Sequence, residues 1–316
     1  MDSRTRRYII RRIVVVILTL FVVTLLSFLL MRLSPIDPAT AYVKRNSAVV
    51  TQEQIEEARV MLGLNKSLPA QYLDWVYDAV HMDFGISLGT GNPVTEELAK
   101  TVPVTLTVVA YSAVIMVIGV MIVGALGYLW RNKAGGMILS FLTMVGISVP
   151  GFYFGTAFID VFAVQLGWLK VSGNSGFLKY FPVALCLSIL GICFYGKMLA
   201  ASLEREMDQD YAMYARCRGL SEIRILFFHA LPHAVVDLLP NFAQMLGLCL
   251  ANAAIVERVF SLSGLGYLII DAVVKRDSPV IHAAVLILAL TLVLLDTAAE
   301  LLQYALRSDM RAAGGR

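Results

Sequence analysis

The chain has 316 residues, 58% of them hydrophobic and only 16% charged, with a formal net charge of +3 and a mean hydropathy of +0.74. Soluble domains carry about a quarter charged residues, so this chain has too little polar surface to cover a globule, and a bilayer is its expected solvent. The small charge excess gives no nucleic-acid signature. The four cysteines, Cys186, Cys193, Cys217 and Cys249, lack CxxC spacing and read as reduced core residues rather than a disulfide framework.

A helix crosses the hydrocarbon core in about 20 apolar residues. Residues 13–31 make the first such run, too long for a cleavable signal peptide and without a small-residue cleavage site. Residues 34–100 form a long connection with helix-like pieces; in "TQEQIEEARVMLGL" Thr51 is placed to cap and Gln54 stands three residues on. Further spans are predicted at 104–130, 137–169, 181–200, about 234–256, and 280–306. The third contains Pro150-Gly151, which predicts a kink or local unwinding.

The expected fold is all-α with six transmembrane helices. Basic residues flank spans on the cytoplasmic side. Arg4, Arg6, Arg7, Arg11 and Arg12 precede span one, Arg131 and Lys133 follow span two, and Arg205, Arg216, Arg218 and Arg224 lie between spans four and five. Arg307, Arg311 and Arg316 close the sequence. All fall on one face, which puts both termini and residues 203–233 in the cytoplasm and 34–100 outside. The organisation is then a first segment and span at 1–33, an external region at 34–100, a five-helix core at 101–306 and a tail at 307–316.

The connection between spans four and five reads "DYAMYARCRGLSEIRILFFHALPHA". Leu203 to Arg218 is predicted as one amphipathic helix, with Tyr211, Tyr214, Ala215 and Arg218 on one face. Gly219 suits a left-handed cap, Ser221 an N-cap for a second short helix, and Pro232 the entry to span five. An aromatic face here needs a cover. A soluble partner with a hydrophobic groove and the lipid surface both satisfy it, and the pattern alone leaves the two open.

Other signals resolve to structural roles. "GICFYGKM" at 191–198 nearly spells a phosphate loop, but Met198 cannot ligate magnesium and the segment lies inside a span; Gly191 and Gly196 read as close helix contacts. His229 and His233 have the spacing of a helical zinc pair, yet Pro232 intervenes and no glutamate completes the motif, so no metal site is expected. Asp296 and Glu300 share a helix face near the cytoplasmic end, with Arg307 or Arg12 as partners. Asp160, Asn241, Gln244 and Asn252 are polar groups within spans and are candidates for lining a pathway; helix–helix hydrogen bonding is the alternative for the amides.

The loop resembles the cytoplasmic signature of ABC importer permeases, EAA, three residues, Gly, nine residues, I-x-L-P. Gly219 takes the glycine, Ala215 the second alanine, and Leu231-Pro232 the closing pair, while Met213 and Tyr214 replace Glu-Ala and His229 replaces Ile. These departures resemble the dipeptide/oligopeptide/nickel branch. "MLGLNKSLPAQYLDWV", "DFGISL", "ISVPGFYFG" and "LGWLKVSG", the last with Lys170 where proline is usual, are similar to that branch in family order. So is "IVERVFSLSGLGYLIIDAVVKRDSPVI", with Ser263 replacing a proline, and "SDMR" is a weak version of the family's closing motif.

The resemblance implies a type I importer fold with no catalytic site of its own. Its coupling segment would comprise Tyr211, Met213, Tyr214, Ala215, Arg216, Gly219, Leu231 and Pro232. Its outer gate or binding-protein face would comprise Glu257, Phe260, Gly264, Gly266, Arg276 and Asp277, expected as a glycine-dependent turn whose three charges either pair with one another or are solvated surface. Ser148, Pro150 and Phe152 join the pathway candidates. Implied partners are a second homologous permease, two ABC ATPases carrying ATP and Mg, an extracytoplasmic binding protein and membrane lipid, with no nucleic acid. The implied location is a bacterial inner membrane and the substrate a peptide, nickel or a metal chelate. "RLSPIDPATAYV" at 32–43 leans toward the nickel and metallophore importers. The alternative, a self-contained secondary transporter, would need paired broken spans, of which the sequence shows one; an intramembrane enzyme would need a catalytic constellation that does not stand out.

Overall fold

The computed structural model describes residues 3–33, 37–46, 50–170 and 175–313. Helices are α1 (Ser3–Arg32), α2 (Pro38–Asn46), α3 (Gln52–Met61), α4 (Leu68–Val80), α5 (Val94–Leu129), α6 (Ala134–Ser148), α7 (Gly151–Ile159), α8 (Phe177–Met207), α9 (Asp210–Cys217), α10 (Glu222–Ile225), α11 (Leu231–Val259), α12 (Leu265–Lys275) and α13 (Ser278–Ala313). Wider π-turns extend α7 through Asp160–Gln165 and join α10 to α11 through Leu226–Ala230. Among the described residues there is no strand, only one antiparallel bridge between Ile86 and Pro93. Four helices are long and apolar enough to cross a membrane, and six spans result if each of two bent helix pairs counts as one.

Two of the six spans are bent. The break expected at Pro150-Gly151 is present, as a 99° turn between α6 and the α7 arm. Val149, forced away from helical geometry by the following proline, is extended at φ −92°, ψ 127°. A second bend, of 56°, separates Leu239 from Gln244 within α11, where the sequence carries Pro240. Only the first is expected from the sequence. Two bends do not make the chain a secondary transporter, as the family assignment below shows.

The chain divides into two compact units. One comprises residues 1–104 and 263–293. Its core joins Phe84, Val94 and Leu98 to Leu265, Val280, Ile281, Ala283 and Ala284, and a smaller cluster of Ala39, Val43 and Ala58 ties α2 to α3. The capping box at α3 forms as expected, with Thr51 Oγ1 accepting from Gln54 N and Gln54 Oε1 accepting from Thr51 N.

The other unit comprises residues 105–262 and 294–316. Its centre is α8, packed on α5, α6, α7 and α11. Glycines set the spacing between α5 and α8. A β-carbon at Gly119 would stand 2.6 Å from Ile192, one at Gly124 2.6 Å from Leu199, and one at Gly191 2.5 Å from Met116 Sδ, while Gly196 receives Val123. Gly191 and Gly196 are thus helix contacts, as the sequence reading had them, because small residues let backbones approach. The cysteines are all free, but Cys217 is exposed at the end of α9 and is not a core residue. Arg307, an expected partner for Asp296 and Glu300, lies beyond the residues whose side chains are described.

Candidate functional site

The loop after α8 is not the single helix from Leu203 to Arg218 that the periodicity predicts. α8 ends at Met207, Asp208 closes it, and Gln209 is extended (φ −73°, ψ 156°) before α9 starts at Asp210. Asp208 and Asp210 flank the break; short carboxylates compete with helical backbone bonding and favour such boundaries. The buried face of α9 is also different. Ala212 and Ala215 are fully packed, so the alanines form the inward face and Ala215 is not available to a partner. Tyr211 is half-buried, donates to Glu206 Oε2 at 2.7 Å and lies 5.5 Å from the His233 ring. Burial and the Glu206 carboxylate both hold its phenol above the ordinary range.

Met213 and Tyr214 project outward at 64% and 67% exposure. Arg218 lies 5.9 Å over the Tyr214 ring. Below them the turn is locked. Gly219 has φ +81°, its N–H bonds Arg216 O at 2.9 Å, and Leu220 N bonds Ala215 O. Arg216 reaches across the turn to Glu222 with two bonds, 2.6 and 3.3 Å, and holds that carboxyl below the usual range. The exposed knob therefore sits on a fixed base. Leu231 and Pro232 follow the π-turns of Leu226–Ala230 without a break, Ala230 being helical at φ −72°, ψ −45°, so the proline, which has no N–H to donate, marks the change from wide to regular turns.

A second feature is a cavity of about 290 Å3 at the α6–α7 break. Ser148, Pro150, Phe152 and Asn252 line it with Cys186, Cys249 and Met245. Asp160, Asn241 and Gln244 do not: Asp160 is exposed and accepts from Gln165, and Asn241 offers its backbone oxygen to Tyr195 at 2.6 Å. No carboxylate or imidazole lines the cavity.

The region expected at the outer gate resolves into two arrangements. In the second unit Glu257 is fully buried and accepts a bond from Thr105 Oγ1 on α5, and Phe260 packs near Phe158 and Gly155. In the first unit Asp277 is 3% exposed and accepts from Ser87 Oγ at 2.5 Å, Gly89 N at 2.8 Å and Leu88 N at 3.1 Å. It thereby holds the 87–89 turn, a role the sequence reading missed. In "FSLSGLG" the backbone itself does not call for glycine at Gly264, although Gly264 and Gly266 are both buried. Ser261, at φ 51°, takes the left-handed position, and Gly264 is extended at φ −99°, which any residue adopts. Gly266 is buried in α12, and Arg276 caps that helix at φ 54°.

The comparisons identify what these parts belong to. The family described as binding-protein-dependent transport system inner membrane component matches residues 115–312, and its N-terminal counterpart matches residues 5–109. The chain belongs to this family of ABC importer permeases. The permease is 32% identical over 96% of its length, and 98% of the relative's, to the "Glutathione transport system permease protein GsiC" of Escherichia coli K12, with the same figures for that of Shigella boydii serotype 4. Its fold is similar to a chain of the inward-facing MetNI methionine ABC transporter, with a TM-score of 0.57 and 18% identity over 66% of the permease and 95% of that chain. The type I importer fold and the peptide/nickel branch expected from the motifs are thus shown. The permease is a multi-pass inner-membrane pore subunit.

Proposed function

We propose that this permease forms, with a second related permease, the path of a small-peptide importer whose partner ATPases bind ATP and Mg and dock on α9. The exposed Met213–Tyr214 pair on a base locked by Gly219 and Arg216–Glu222 carries this reading. An ATPase cleft that accepts the knob receives an aromatic anchor already held in place, so little ordering cost opposes docking. Motion of the ATPases then moves α9 and alternates access to the path. Both termini and 203–233 face the cytoplasm, and a binding protein delivers substrate to the 34–100 side.

Two observations favour a peptide of the glutathione type over bare nickel. The relatives above are glutathione permeases by name. The cavity at the α6–α7 break offers Ser148 and Asn252 as polar side chains beside apolar and sulfur-bearing ones, and lacks the imidazole and carboxylate groups a divalent cation prefers. The lean toward metallophores rested on residues 32–43, of which 34–36 lie outside the described residues.

The test is co-purification of the ATPases with Tyr214→Ala. Burial of a large side chain contributes about 1.5–3 kcal/mol, so association should weaken roughly ten- to a hundredfold. Unchanged association would remove α9 as the docking element. Calorimetry on the partner binding protein separates substrates: tripeptide binding supports the reading, and Ni2+ binding without peptide binding overturns it. Sidedness is checked by impermeant thiol labelling of Glu53→Cys and Ser221→Cys, both exposed positions; labelling of Ser221→Cys without Glu53→Cys overturns it.

A further inference from the structure

α4 carries three distinct stripes. Tyr72, Trp75 and Ala79 face inward. Gln71, Asp74 and Asp78 line a cavity of about 370 Å3 with Arg32, Lys66 and Asp83. Leu73, Tyr77 and Val80 form the third stripe and are 65%, 67% and 76% exposed. At 100° per residue the three sets fall about a third of a turn apart, so each occupies its own side of the cylinder.

What the inward stripe touches fixes the depth of the helix. Tyr72 Oη lies 2.9 Å from Thr24 Oγ1, and its ring lies 6.2 Å from Phe21 and 5.6 Å from Phe28. Trp75 stands 5.7 Å from the His282 ring, and His282 Nδ1 is 2.9 Å from Ser27 Oγ. Thr24 lies within the apolar span Ile10–Arg32, eight residues before its end, and His282 four residues into the span Ser278–Leu301. With a rise of about 1.5 Å per residue, these contacts are about 12 Å and 6 Å inside the helix ends. At that rise the two spans are about 35 and about 36 Å long, a few Å more than a hydrocarbon core about 30 Å thick. With about 3 Å of each centred span outside the core at either end, the contacts still fall about 9 Å and about 3 Å within it, so α4 packs at the level of the acyl chains rather than above them. α1, on which Tyr72 packs, is itself bare on much of its surface, with Leu26 and Leu30 53% and 67% exposed.

We propose that α4 is an interfacial helix immersed in one membrane leaflet, with Leu73, Tyr77 and Val80 against phospholipid acyl chains. Its acidic stripe stays wetted by the adjoining cavity, as the 54% exposure of the Asp74 side chain beside Lys66 requires. A helix with separate apolar and charged faces lies in the interface plane. Tyr77 has the apolar ring and polar tip of the residues that anchor there. The outward leaflet follows from the sidedness proposed above; the depth does not.

The test uses the importer assembled with its partner subunits in nanodiscs, in a Cys217→Ser background. An environment-sensitive fluorophore is placed on Leu73→Cys, Tyr77→Cys or Val80→Cys, and on Asp78→Cys and Glu57→Cys as references. Phosphatidylcholine carrying a nitroxide high on its acyl chain should quench the first three several times more than the references, with blue-shifted emission. Iodide should quench the references instead. Iodide quenching of all five alike would mean an aqueous face and overturn the proposal. Protection of Leu73, Tyr77 and Val80 from both quenchers would mean a protein cover and overturn it equally. Failure of the sidedness reading would show only in the impermeant labelling of Glu53→Cys, so the two outcomes are separable.

Discussion

Replacing Asp277 by alanine should free the turn at residues 87–89 while leaving the helices in place. The carboxylate accepts three bonds, from Ser87 Oγ, Leu88 N and Gly89 N. A hydrogen bond to a charged group contributes about 1.5–3 kcal/mol. Three at the lower figure give about 4.5 kcal/mol, but Ser87 Oγ also accepts from Gly89 N and Thr90 N, and water reaches the freed amides. A net local loss of about 3 kcal/mol follows, which is roughly a hundredfold in the opening equilibrium. Asp277→Asn keeps one carbonyl acceptor and presents an NH2 to a donor, so about half that loss, roughly tenfold, is expected. The assay is hydrogen exchange of the Leu88 and Gly89 amides in nanodiscs, with an α8 peptide as an unaffected reference. If both amides exchange in Asp277→Ala as slowly as in the parent, the carboxylate does not hold the turn and the reasoning fails.

Gly219→Val should impose backbone strain of about 1–2 kcal/mol on the turn, since φ is +81° and an added β-carbon would meet nothing; substrate-stimulated ATP hydrolysis should fall with membrane insertion unchanged. The Arg216–Glu222 pair is largely exposed, so a double-mutant cycle should give at most about 1 kcal/mol. Because Arg216 lowers the Glu222 pKa, that contribution is present above the ordinary carboxylate range and is lost as pH falls through the lowered value. Hydrolysis measured from pH 6 to 8 should show no step from this pair. Gly191→Leu should prevent correct packing of α8 on Met116, seen as loss of monodisperse protein after extraction, whereas Gly63→Ala, at a site with open space, should cost only its backbone strain.

Much of this architecture is local and was therefore legible. Apolar runs gave the spans, Pro150-Gly151 the break, Thr51 and Gln54 a capping box, and Gly191 and Gly196 the close contacts. The rest depends on residues far apart in sequence. Ser87 meets Asp277 across 190 positions and Thr105 meets Glu257 across 152, and neither hydroxyl carries any pattern that announces its partner. The α9 face was misread because helical spacing counts aromatic and alanine positions alike, while packing here required the small side chains inside. The break at Gln209 was invisible because the periodicity runs through it unbroken.

The seam between α5 and α8 bears on how force would travel. Side chains of each helix enter glycine notches of the other: Ile192 and Leu199 from α8 at Gly119 and Gly124, Met116 and Val123 from α5 at Gly191 and Gly196. Such interlocking teeth resist sliding, because a shift of one turn would drive every side chain out of its notch at once. α8 itself is 31 residues, about 46 Å of unbroken helix, and its C-terminal end adjoins α9. A push at Met213 and Tyr214 would therefore load α8 and α5 as one strut, and the compliance would reside at the bends, near Pro150 and between Leu239 and Gln244.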